Sequence, residues 1–437
     1  MKPLNLSQVN FTNQADKVNS DSGIFNPVGS NIKTLRGADE IIGNKFINSG
    51  FGLEVIAQVG AINAGAIAAG DLSAKANVNA NGINNKGSVA TNRGRDVVRG
   101  TATAQLIAVA QTVSGAIAYA NALDTGAVAA TFANINVNAI ANGIKNSGEL
   151  GTGKGSDSVD GEIDASIATV ATAKADATAI VKSIAQAPVN ESLTAFATAI
   201  AQSIANASII ATGLNNSRGK LFTAKGGDTI SATATSDSAT FSEASTSAFS
   251  AATPENQALA LAVAEAVAIA QDKAIAIDNS NGTIGTGKKA DTIKAAANAA
   301  DKAIAINNIQ GTIQTGKGGD TIQANATGIE SYGIFGGTIQ TGDGADKVNA
   351  SSFGGGVNIN MGDGKDFVEG FGDAKVSGGK GFDILSLDSG NREDFDISLG
   401  ANNNKVIFEQ NNIIMTTTKF EQFNFANGSF SYDELST

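Results

Sequence analysis

Branched apolar residues and aspartates recur along this chain in one fixed frame. The aspartates are Asp39, Asp96, Asp157, Asp228, Asp291, Asp320, Asp346, Asp366 and Asp383. Seven residues before them stand Ile32, Val89, Leu150, Leu221, Ile284, Ile313, Ile339, Ile359 and Val376. Two residues after them stand Ile41, Val98, Val159, Ile230, Ile293, Ile322, Val348, Val368 and Leu385. Thr lies five before the Asp in the first seven copies, and Gly lies two before it in all but one, where Lys289 stands. Paired apolar anchors predict two short strands. The Gly-rich stretch between them predicts a tight turn, where positive φ or close approach of the next coil calls for Gly. The Asp either satisfies backbone N–H groups of its turn or holds a cation.

Between these motifs the pattern changes to strict alternation. Every even position from Ala258 to Ala270 is Ala, with Leu259, Leu261, Val263, Glu265, Val267 and Ile269 between them. Thr101–Leu123 and Ala195–Ala201 keep a similar parity. Period 2 predicts strands. Thr253-Pro254-Glu255 is instead a helix-start signal, followed by good helix formers, so Pro254–Gln271 is open to a helix. The lack of a 3.6-residue stripe favours strand. One face of such strands is flat Ala and the other carries Ile, Val, Leu and Gln; neither is an ordinary solvated surface. Either both faces are buried in a wide multilayer solenoid, or the sheets associate with other copies.

Internal repetition of this kind predicts an all-β, elongated parallel β-solenoid. Its expected parts are an N-terminal arm (1–26), wide Ala-rich coils (27–276), short coils (277–373) and a C-terminal cap (374–437). Segments such as Ile313–Ile322 and Ile339–Asp346 resemble the glycine-rich nonapeptide of RTX (repeats-in-toxin) proteins. Gly381–Leu387 with Phe420–Leu435 resembles the C-terminal module of type I secreted members of that family. The resemblance implies a parallel β-roll binding Ca²⁺ between coils, an uncleaved C-terminal export signal, type I secretion machinery as partner and an extracellular or cell-surface location. Two features depart from it. The motifs are not in tandem but recur at intervals of 57, 61, 71, 63, 29, 26, 20 and 17 residues. The position three before the Asp is basic (Arg36, Arg93, Lys154, Lys225, Lys288, Lys317 and Lys380) except at Asp343 and Asp363. A basic residue there can neutralise the Asp in place of a metal. Asp343, Asp346, Asp363 and Asp366 are therefore the candidate Ca²⁺ ligands, since Ca²⁺ takes 6–8 oxygens and Gly-rich turns add carbonyls; the alternative is a pair of Asp-turns satisfying their own backbone.

Composition narrows the function. The 437 residues include no His, Cys or Trp, which removes His-dependent nucleophile systems and ordinary zinc or iron–sulfur sites. Paired carboxylates alone, without a cleft or many aromatics, do not mark a glycosidase, so the chain reads as no enzyme. A net charge of −11 argues against nucleic acid as a partner. The Ala-rich stretch 100–123 is too broken by Gln, Thr, Ser and Asn for a membrane span, and the first residues lack the apolar run of a cleaved secretory signal. The expectation is a secreted, self-assembling structural protein, the partner being further copies of itself in a filament, sheath or surface layer. The alternative is a monomeric Ca²⁺-binding adhesin or exoprotein. Residues 3–11, partly alternating from Leu4 to Phe11, are expected to add a strand to a neighbouring subunit.

Overall fold

The computed structural model describes every residue except Met1, Arg36, 63–65, 121–124, 182–193, 252–256, 401–403 and Thr437. It is a parallel β-solenoid of two sheets, one of 20 strands and one of 12. The larger sheet takes two strands from most coils, a return strand and the short strand before the motif turn; the smaller takes the strand after the turn.

The motif frame sets the register. Ile32, Val89, Leu150, Leu221, Ile284, Ile313, Ile339, Ile359 and Val376 stack as direct neighbours up one sheet. Ile41 through Leu385 do the same in the other, a column extended by Val18 below and Phe423 above. Both columns are buried throughout. Side chains of one kind stacked at every coil fix the register, because a one-residue slip would turn each anchor outward.

The alternating spacers are strands. Glu40–Ile62, Val97–Ala120, Ser158–Val181 and Thr229–Ala251 run outward in one sheet, and Ala66–Asn85, Thr125–Asn146, Thr194–Asn215 and Gln257–Asp278 return in the other. Residues 257–271 lie in a strand paired with Thr194–Asn215, so tertiary pairing overrides their helix propensity; the start signal itself, Thr253-Pro254-Glu255, lies outside the described residues. Together the eight strands form a two-layered wing projecting from the narrower stem. Between its layers Ala102, Ala104, Ala108 and Ala110 face Ala127, Ala129, Ala133 and Ala139, all buried, so the core is thin and made of small side chains.

Both ends of the stem are closed. At the C-terminal end, antiparallel strands Asp396–Leu399, Val406–Gln410 and Ile413–Thr418 enclose a cluster of Phe371, Phe395, Phe408, Phe420, Phe423 and Phe425, with neighbouring ring centroids 5.1–6.3 Å apart. At the N-terminal end the expected donor strand is corrected. Leu4 and Asn5 pair in parallel with Ile24 and Phe25 of the same chain, Leu6 is fully buried, and Val9 and Phe11 pack on the core. The arm is a cap, because its apolar residues find a home on their own first coil. No helix among the described residues is long and apolar enough to cross a membrane.

Candidate functional site

The nine motif aspartates form one continuous column inside the stem. Each backbone N–H donates to the carboxylate of the next coil: Asp39 N to Asp96 Oδ1 at 2.9 Å, Asp96 N to Asp157 Oδ1 at 2.9 Å, and so on to Asp366 N with Asp383 Oδ1 at 2.9 Å. Asp16 N donates to Asp39 Oδ1, and Asp383 N to Glu421 Oε2, extending the ladder by a rung at each end. The Gly two before each Asp permits this stacking. A Cβ at Gly155 would lie 1.4 Å from the Gly94 carbonyl oxygen, and one at Gly226 1.3 Å from that of Gly155. Lys289, the one exception, adopts φ +91°.

All nine carboxyls are buried. Apart from Asp291, whose Oδ2 accepts from Gly287 N at 3.1 Å, their second oxygens have no hydrogen-bond partner. Burial accordingly pushes the carboxyls of Asp157, Asp320, Asp346 and Asp383 above the ordinary carboxylate range, opposed by the backbone N–H each accepts. For Asp291 and Asp366 the same cause, reinforced by neighbouring rungs, raises the pKa to about 6. Among the described residues, the basic side chains three before the Asp make no ion pair with this column, contrary to the sequence reading; Arg36 lies outside the described residues. Among the described residues their ion pairs are instead Lys317 Nζ–Asp343 Oδ2 at 2.5 Å and Lys380 Nζ–Asp363 Oδ2 at 2.9 Å.

The candidate Ca²⁺ ligands are therefore divided. Asp343 and Asp363 are register partners on the outside, each held by a Lys of the flanking coil, and Lys317 holds the Asp343 carboxyl below its usual range. Asp346 and Asp366 are rungs of the buried column, each spending one oxygen on a backbone N–H. Among the described residues no group of three or more acidic side chains is placed to share an ion.

A second buried ladder has no counterpart in the sequence reading. Asn26, Asn85, Asn146, Asn216, Asn279 and Asn308 are stacked at the corner before the first anchor. Each Nδ2 donates to the next Oδ1 at 2.7–2.8 Å, ending on the Thr338 carbonyl. Asn four to six residues before each of the first six anchors was the available signal.

The wing is the most exposed apolar region. On one face lie Ile107, Val109, Ile117, Phe241 and Phe249; on the other Phe132, Ile140, Phe196, Leu259, Leu261 and Val263. Its edges are also bare. Thr229–Ala251 is paired toward the stem coils only through Ser236, and Gln257–Asp278 only from Lys273 onward. At the opposite end Glu40–Ile62 is paired below only through Gly43, apart from one bridge at Lys45, and Ala66–Asn85 only from Ile83. No family model, curated protein or solved structure matches the chain.

Proposed function

We propose that the chain is a secreted, self-assembling structural subunit of a filament, sheath or surface layer, joined to further copies through its wing. One observation carries the reading: four long strand edges lie open at the two ends of the wing, whose faces expose Ile107, Phe241 and Phe249 on one side and Phe132, Leu259 and Leu261 on the other. Soluble proteins normally blunt such edges with charge, Pro or a covering loop. Here the stretch from Ala258 to Gln271 carries one charged residue, Glu265, and the unpaired lengths of the other three edges carry two each: Lys45 and Glu54, Asp71 and Lys75, Asp237 and Glu243. Export by type I machinery belongs to the same proposal and rests on the C-terminal residues that resemble such modules.

The test is light scattering and negative-stain microscopy of the purified full-length chain, with and without Ca²⁺, beside a Leu261→Lys/Val263→Lys variant. The wild type should grow into continuous filaments or sheets. The variant should stay as single chains with an unchanged far-ultraviolet circular dichroism spectrum. Single chains of wild type under every condition would reject the proposal in favour of a monomeric exoprotein.

A further inference from the structure

The stem narrows abruptly after its seventh motif, and the step leaves a cavity of about 530 Å³. Thr321–Thr327 pairs with the following coil only through Ala324, and Glu330–Phe335 pairs with Phe353–Gly364 only at Ile334 and Phe335. Residues 325–333 therefore overhang the shorter coils as a ledge. Ala326 N donates to Ser351 Oγ at 3.2 Å, Ser351 N to the Ala324 carbonyl at 3.0 Å, and Ser352 Oγ to the Ser331 carbonyl at 3.1 Å. These bonds hold ledge and floor in place without a ligand. The floor turns so tightly that it needs Gly370 and Gly372, at φ +133° and +151°, where added Cβ atoms would lie 2.6 and 1.9 Å from backbone oxygens.

We infer that this step is a binding cleft for a neutral saccharide. The half-buried rings of Tyr332 and Phe371 line it, together with Ile413. Around them stand the amides of Asn325 and Asn349 and the carboxylates of Glu369 and Asp388. Glu369 Oε2 accepts from Asn349 Nδ2 at 2.5 Å, which orients both groups. Ser351 and Ser389, both exposed, also line the cavity. Amides, carboxylates and hydroxyls together both donate and accept, the requirement of a polyol. The rings offer an apolar platform for the C–H face of a sugar. No Lys or Arg lines the cleft, the Lys302 Nζ that stands 6.0 Å from the Tyr332 ring is paired with Glu330, and two carboxylates disfavour phosphate, sulfate and uronate groups. The volume lies within the range of about 300–1,000 Å³ typical of small-molecule sites.

This inference stands apart from the assembly proposal. The test is isothermal titration of the full-length chain, held as single chains by the Leu261→Lys/Val263→Lys changes, with cellobiose, maltose and N,N′-diacetylchitobiose as probes. At least one should bind, with Kd near or below the ~1 mM scale of weak ligand affinity. Tyr332→Ala and Glu369→Gln should each weaken it about tenfold, a loss of ~1.4 kcal/mol, while Tyr332→Phe, which keeps the ring, retains it. Absence of binding by all three sugars, or binding untouched by Glu369→Gln, would overturn the inference.

Discussion

The buried aspartate ladder should make the protein more stable in mild acid than at neutral pH. Asp291 and Asp366 have folded pKa values raised from 3.8 to about 6. Between those limits the folded state binds more protons than the unfolded chain, so the stabilising contribution is full below about pH 4 and is lost as pH rises through 6. A rise of that size corresponds to roughly 3 kcal/mol per carboxyl. The other raised rungs, Asp157, Asp320, Asp346 and Asp383, act in the same direction. The Lys-paired Asp343 has a lowered pKa and opposes this only below the window. Urea unfolding followed by circular dichroism at pH 5.5, 6.5 and 8, at constant ionic strength, reads the effect as a midpoint that falls with pH. Asp366→Asn keeps an oxygen to accept from Asp346 N–H but cannot ionise. It should flatten the pH dependence and raise stability at pH 8 by up to about 3 kcal/mol. A variant that loses stability equally at every pH would refute the reasoning, and would mean that the charge itself is needed, as a bound cation would require.

Three further outcomes follow from the geometry. Circular dichroism should show the same β content with Ca²⁺ and with chelator, since each carboxyl of the column accepts a backbone N–H and, among the described residues, no three acidic side chains converge on one ion; a chain that folds only on adding Ca²⁺ would restore a metal-driven roll. Lys289→Gly should raise the unfolding free energy from urea titration by up to about 1 kcal/mol, because a left-handed conformation costs a side chain ~1–2 kcal/mol and Gly's unfolded entropy returns part of it; Asn146→Ala should lower that free energy by about 2–4 kcal/mol, leaving Asn216 Oδ1 and the Lys220 carbonyl without their donor.

The repeat was legible in the sequence because it is written in spacing. A column of identical contacts demands apolar residues at fixed distances from an Asp, and Ile32 and Leu385, at the extremes, both obey the frame. Strand alternation at Ala258–Ala270 was legible for the same reason. Charge partners were not. Lys317 is three residues from Asp320 in the chain, yet the coil spacing brings it to Asp343, and nothing local distinguishes the two. The arm misled because Leu4–Phe11 is sticky wherever it lies, and only the tertiary structure says that its own first coil receives it. The cleft at Tyr332 was hidden too: shrinking intervals show that coils shorten, but not on which side they retreat.

The narrowing of the stem also predicts an order of folding. The hairpins between Asp396 and Thr418 are local contacts, which form fastest, and they assemble with Glu421 as an acceptor already in place. Each coil added toward the N-terminus then docks its Asp N–H on a carboxylate that stands waiting, and the loops to be closed lengthen stepwise, 17, 20, 26 and 29 residues before the first of 63. Closure entropy grows only slowly along that series, so every early step is a short one made on a finished template. A chain emerging C-terminus first from a narrow channel would meet these steps in the same sequence, each turn wound before the next arrived, and the winding itself would oppose its slipping back.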